Sequence, residues 1–262
     1  MRVSISRAWD ETRTFLGRER SLITPIVLAF LVVPTVAVGL IEPSAAPGQQ
    51  PAGGPWVIAF GVGLFVSLIG QLAIMRLALG WEGRIADVLR YAFVRIWTVL
   101  GSYLILAFFI ALLSIPLVLV AGLAGGAGAV EAGPSAGSVS ILVIAFIFVI
   151  ARFVPMSALA IDGSDTPWGL LKRCWTLTRG SYWRLLSFFL VFLLGSLVLG
   201  WAVNVIAGLA FTMILGPAEP LTVSRLLISL AEGLVQGGIQ SVYAVMVARI
   251  AAQFPARSIS AT

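Results

Sequence analysis

The chain has 262 residues, 60% of them hydrophobic and 11% charged, and a mean hydropathy of +1.05. A soluble domain of that length needs far more charge to cover its surface, so a water-soluble protein is excluded and a polytopic membrane protein is expected. The absence of His removes the commonest catalytic base and metal ligand, and the single cysteine, Cys174, leaves no intrachain disulfide and no paired-cysteine zinc or redox site.

The first segment is basic, with Arg2, Arg7, Arg13, Arg18 and Arg20. Ile5, Ala8, Trp9 and Leu16 recur on one helical stripe within it, which predicts an interfacial amphipathic helix over 2–19. An apolar run over 22–41 follows; it is too long, and its basic prelude too extended, for a secretory signal, so it is expected to be a retained first span. The segment EPSAAPGQQPAGGP at 42–55 breaks the helix, and a second span follows over 56–79. Leu89, Ala92, Phe93 and Leu100 repeat the first stripe, predicting a second interfacial helix over 82–96 before a third span at 97–122. GGAGAVEAGPSAG at 125–137 leads to a fourth span at 136–158. Leu171, Cys174 and Trp175 begin the stripe a third time, in a helix over 166–180, and spans at 185–212 and 224–250, joined by GPAEPLT at 216–222, complete the chain. The expected fold is therefore all-α and a single integral membrane domain over 1–262: six transmembrane helices plus three cytoplasmic-side amphipathic helices.

Charge sets the orientation, because short loops rich in Lys and Arg stay cytoplasmic. Besides the five N-terminal arginines, Arg76, Arg84, Arg90 and Arg95 surround the connection of spans 2 and 3, and Arg152, Lys172, Arg173, Arg179 and Arg184 that of spans 4 and 5. Arg249 and Arg257 follow span 6, leaving Arg225 alone at the opposite end. Both termini are expected to be cytoplasmic, with anionic lipid headgroups as the partners of the basic face. The same placement explains a pI near 10.4 without nucleic acid, and six of eight tryptophans on that side suit an aromatic belt better than a base-stacking platform.

Trp9, Phe93 and Trp175 are separated by 84 and 82 residues. The even-numbered spans end alike, in Met75-Arg76-Leu77, Ala151-Arg152-Phe153 and Ala248-Arg249-Ile250, where arginine can snorkel to headgroups. These markers predict three parallel repeats of one amphipathic helix plus two spans, over about 1–80, 81–158 and 159–262.

The strings Arg152-Phe153-Val154-Pro155, Ile161-Asp162-Gly163 and Leu171-Lys172-Arg173-Cys174-Trp175-Thr176-Leu177-Thr178-Arg179-Gly180-Ser181-Tyr182-Trp183-Arg184-Leu185 resemble the six-span membrane domain of some bacterial glycerophosphodiester phosphodiesterases and of related stand-alone membrane proteins. The resemblance marks Arg152, Pro155, Trp175, Thr178, Arg179, Gly180, Trp183 and Arg184 as motif residues. The family's Tyr-x-Asp-Leu-Arg ending is absent, Tyr243 being followed by Ala244, Val245 and Met246. What the resemblance implies is a cytoplasmic-membrane protein without catalytic residues of its own, since hydrolysis in the fused enzymes belongs to a separate soluble domain for which no room is expected here. Thr178-Arg179-Gly180 reads as a helix end, with Gly180 free to adopt a left-handed cap conformation and Trp183 and Arg184 expected to anchor the fifth span.

Intramembrane charge is the default functional signal, a carboxylate at a helix centre costing about 2.5–3.5 kcal/mol on insertion scales. In span 6, Arg225, Ser229, Glu232, Gln236 and Tyr243 share an arc of roughly 80°, with Gln240 at its edge, Asn204 of span 5 as a candidate partner, and Gly233 and Gly237 forming a close-contact pattern on the adjoining face. Interhelical hydrogen bonding is the plainer reading of this stripe; a solute or proton path is the alternative. Asp162 and Asp165 form an inner-face carboxylate pair, but Asp165 and Thr166 also read as a cap for a helix starting at Pro167, and GLAGGAG at 122–128 lacks the Lys and spacing of a phosphate loop. No metal, cofactor or catalytic residue is expected. The leading expectation is a non-enzymatic scaffold or lipid-interacting module in envelope homeostasis; a transporter or channel subunit using the span 6 stripe and a membrane lipid enzyme are the alternatives, and the residues leave a homo-oligomer or membrane-protein partner open.

Overall fold

The computed structural model describes residues 4–43, 54–81, 84–124, 146–163 and 166–254, and every regular element among them is helical. Helix α1 spans Ile5–Arg18; the hydroxyl of Ser4 accepts from the Arg7 amide, satisfying one of the free donors of its first turn. Helix α2 runs over Arg20–Ile41 and carries a π-helical segment at Leu28–Val32, bracketed by Pro25 and Pro34, whose missing N–H groups interrupt the regular ladder. Helix α3 is Pro55–Ala78 and α4 is Ile85–Ala124. Helix α5 is the apolar stretch Phe146–Ile161, broken by a turn at Val154 and Pro155 before its last part, Met156–Asp162. Helix α6 is Pro167–Thr178, α7 is Tyr182–Leu215 and α8 is Val223–Ala252. Thr166 caps α6 through the Gly169 amide and Thr222 caps α8 through the Arg225 amide.

Among the described residues five helices are long and apolar enough to cross a membrane: Arg20–Ile41, Trp56–Ala78, Ile85–Pro116, Tyr182–Leu215 and Val223–Ala252. The expected fourth span, 136–158, begins outside the described residues, and its described part is shorter than a span. The loop expected at 125–137 and most of that at 42–55 also lie outside them. One expectation is corrected. Residues 85–96 are not a separate in-plane helix but the first turns of the 40-residue α4, because nothing between Arg95 and Val99 interrupts helical hydrogen bonding. The first and third amphipathic segments, α1 and α6, do stand as separate helices.

Helix α8 is the axis of the bundle, with 50% of its most apolar window buried against 11% for α7 and 12% for α4. Lipid tails are as apolar as leucine, so helices inside a bilayer associate through close packing rather than through hydrophobic burial. Small residues make that packing: Ala73, Ala78, Ala151, Ala158, Ala244 and Ala248 are fully buried where α3, α5 and α8 meet. Leu72, Ile74, Met75, Met156, Ile161 and Ile250 fill the space around them, so the densest core sits at the basic end.

The three stripes occupy matching environments. Ala8, Ala92 and Cys174 are each 0–1% exposed, while the aromatic residue after each, Trp9, Phe93 and Trp175, is 51%, 50% and 51% exposed. One turn later Thr12, Ile96 and Thr178 are again buried. Each segment therefore presses a narrow small-residue ridge into the bundle and leaves a ring at its border.

Candidate functional site

The polar stripe of α8 is distributed over several partners. At its start the Arg225 Nε donates to the Gly39 carbonyl at 2.7 Å and a terminal nitrogen lies 3.5 Å from Glu42, while the Leu221 amide donates to the Leu40 carbonyl at 3.0 Å, tying α8 to the end of α2. Ser229 is buried against Gly39, where an added Cβ would stand 2.6 Å from the serine hydroxyl. The Asn204 amide of α7 donates to Glu232, the partner the spacing suggested. Gln71 of α3 donates to Gln240 at 3.1 Å. The Tyr243 ring packs against Phe192 and Phe188 of α7, with centroids 5.0 and 6.3 Å away. Gln236 borders a shallow cleft of ≈ 260 Å³ with Thr35, Asn204 and Glu232.

The stripe's neighbours Gly233 and Gly237 face α2 at its π-helical segment. A Cβ on Gly237 would lie 2.9 Å from Val32 Cγ2, and one on Gly233 3.1 Å from Val36 Cγ2, so both glycines are needed for this approach. Stripe and glycines together lace α8 to α2, α3 and α7.

The motif residues divide into two groups. Arg152, Trp175 and Thr178 come together: the Arg152 guanidinium lies 3.5 Å from the centroid of the Trp175 ring and donates to the Trp175 carbonyl at 3.3 Å, and the Thr178 hydroxyl donates to the Cys174 carbonyl at 2.7 Å. Cys174 lies beneath, its thiol donating to the Arg152 carbonyl at 3.4 Å. Burial pushes that thiol up to about 12 against the opposing pull of Arg152, so it stays neutral and is a packing group rather than a nucleophile. Pro155 forms the turn inside α5. Arg179 is exposed, and Trp183, 70% exposed, meets the Phe148 ring at the first turn of α7, where Arg184 follows it.

Gly180 does not use its left-handed freedom. The residues with positive φ among those described are Gly80, Gly216 and Leu221, and Gly180 is not one of them. Arg179 keeps right-handed helical angles, and the Ser181 amide donates to the Thr178 carbonyl at 3.1 Å, so the chain turns into α7 without a left-handed reversal. Gly80, φ +94°, lies just past α3, and Gly216, φ +88°, just past α7.

Arg76, Arg152 and Arg249, which the sequence makes free to snorkel, each lie over one or two aromatic rings at the basic end. Arg76 lies 4.7 Å from the centroids of both Trp81 and Tyr91, Arg152 is on Trp175 with Tyr182 at 5.8 Å, and Arg249 lies 5.4 Å from Phe15. The order is cyclic, since the last arginine meets the first helix. Gln253 fastens the same closure: its side-chain oxygen accepts from the Ser4 amide at 2.7 Å and its amide donates to the Ser4 carbonyl at 3.1 Å. Sequence spacing pointed to the arginines but not to Phe15, Tyr91 and Tyr182 as their ring partners. None of these rings belongs to one of the three stripes, so no single spacing links them.

Among the described residues no group of three or more His, Cys, Asp or Glu could hold a metal ion. Asp165 lies outside those residues, and Thr166 supplies the cap expected at that position. Most of GLAGGAG at 122–128 also lies outside them. Comparison with protein-family models, with curated proteins and with solved structures finds no match for this chain.

Proposed function

We propose that this chain is a non-enzymatic, lipid-interacting module of a bacterial inner membrane, built as three parallel repeats with six spans and with both termini cytoplasmic. The observation that carries this reading is the border of the basic end. Trp9, Phe93, Trp97, Trp168, Trp175 and Trp183 are all at least half exposed there, on segments that also bear most of the arginines. Rings of this kind settle at the headgroup level and cations beside them attract anionic lipid. The matched burial of the three stripes and the cyclic arginine stacking support the repeats; the motif around Arg152 and Trp175 supports kinship with the membrane domains of glycerophosphodiester phosphodiesterases.

The test is native mass spectrometry of the gently purified protein, where retained phosphatidylglycerol in excess of phosphatidylethanolamine is expected and absence of retained lipid overturns the reading. Orientation is checked by reporter fusions: those after Ala52, Ala132 and Ala218 should report outside, those after Asp87, Asp165 and Thr262 inside. A second reading, a solute path, is favoured by the cleft at Glu232, Asn204, Thr35 and Gln236. Its signature is a Glu232→Gln variant that folds normally but no longer complements a deletion phenotype.

A further inference from the structure

At the basic end, α1, α2, the α3–α4 connection and α8 enclose a second cleft of ≈ 340 Å³, whose chemistry the stripe and the motif leave unused. Two of its lining donors, the indole Nε1 of Trp81 and the Nε of Arg249, are buried without a hydrogen-bond partner among the described residues. A buried donor that has given up water and found no acceptor is costly, and two at one cleft call for an acceptor from outside. Arg18 supplies a third donor group at the rim. The carboxylate that lines the cleft, Glu19, is held by Arg18 at 2.8 Å, and nearby Glu11 is held by Arg7 at 2.9 Å, so neither is paired with Arg249. Gly80, left-handed at φ +94°, turns the chain at the end of α3 and places Trp81 at the cleft.

The remaining walls are apolar, from Leu22, Leu77 and Ile85. Convergent donors at one side and aliphatic wall at the other suit an amphiphile with an anionic head.

We propose that this cleft binds a phosphate-bearing anion, with Arg249 and the Trp81 indole N–H as its donors and the aliphatic wall receiving the start of an acyl chain. The proposal rests on the lipid-interacting reading above and narrows it to a site. Its test is thermal unfolding of the full chain in neutral detergent, titrated separately with phosphatidylglycerol, phosphatidylcholine and inorganic phosphate. Phosphatidylglycerol should give a saturable rise in Tm in the parent, and its apparent affinity should fall about tenfold or more in Arg249→Gln, the range expected for loss of a charge-assisted hydrogen bond. Trp81→Phe keeps the ring and removes the donor, so it should weaken binding several-fold and serves if the Arg249 variant folds poorly. Glu219→Gln, which removes an exposed charge at the opposite end of the bundle from the cleft, should leave it unchanged. An equal effect of inorganic phosphate, lost in the same variants, assigns the site to a soluble phosphate; an effect of the lipid alone assigns it to a headgroup; both uphold the anion site. Equal phosphatidylglycerol binding in the parent and both cleft variants overturns the site while leaving the lipid-interacting reading intact. Equal response to phosphatidylglycerol and phosphatidylcholine in the parent overturns both.

Discussion

The stripe along α8 and the arginines at the basic end are both polar groups at the edge of an apolar bundle, yet they are solved differently. Arg225, Glu232 and Gln240 each have a partner on another element, Gly39 with Glu42, Asn204 and Gln71 respectively. Arg76, Arg152 and Arg249 each keep a buried Nε without a hydrogen-bond partner among the described residues and rely on aromatic faces instead. A fully paired polar group contributes register and orientation to helix packing, whereas a ring satisfies the charge of a guanidinium but not its N–H directions. Arg225, Glu232 and Gln240 are thus paired within the chain, and the arginine end retains unused donor capacity.

The largest expected effect tests whether the α8 seam is as tight as its glycines imply. Gly237→Ala places a methyl 2.9 Å from the stiff Val32 side chain and should cost about 1–3 kcal/mol in detergent unfolding, as overpacking does. Gly238→Ala, next in sequence but with nothing within 4 Å of the added carbon, should be neutral or stabilise by up to about 1 kcal/mol through helix propensity. Equal behaviour of the two would break the picture of a close α2–α8 contact.

Arg152→Ala comes next. Loss of the ring contact and of the hydrogen bond to the Trp175 carbonyl should destabilise by about 1–2 kcal/mol. Arg152→Lys should recover part of it, because an ammonium still sits over the ring but cannot reproduce the planar stack. A smaller change is expected at Glu232. Replacement by Leu should cost about 0.6 kcal/mol, the average for interhelical hydrogen bonds in membranes, and replacement by Gln less, since the contact with Asn204 is retained. Unchanged complementation by both would leave the stripe a packing device alone. The smallest effect is at Cys174: with its thiol pushed up to about 12 by burial, its thiolate fraction stays far below that of a free thiol from pH 7 to pH 9, so maleimide labelling of the folded protein should be slow throughout that range. Labelling at the rate of a free thiol would show α6 opening from α5.

Composition and period determined a great deal. Apolar runs interrupted by Pro and Gly clusters marked helices that the bundle contains, the spacing of Glu232 and Asn204 anticipated their hydrogen bond, and the Ala8, Ala92 and Cys174 stripe marked three ridges that are all buried. These succeed because a helix surface follows from local periodicity alone. Tertiary structure decided what spacing cannot express. Whether an amphipathic segment stops or runs on depends on the next turn, so 85–96 merges into α4 while α6 ends at Thr178. Gly180 stays out of the left-handed region because its neighbours turn directly into α7. Which ring each arginine meets, and that Trp81 and Arg249 share a cleft, follow from contacts between residues as much as 234 positions apart, set by the way α8 closes against α1.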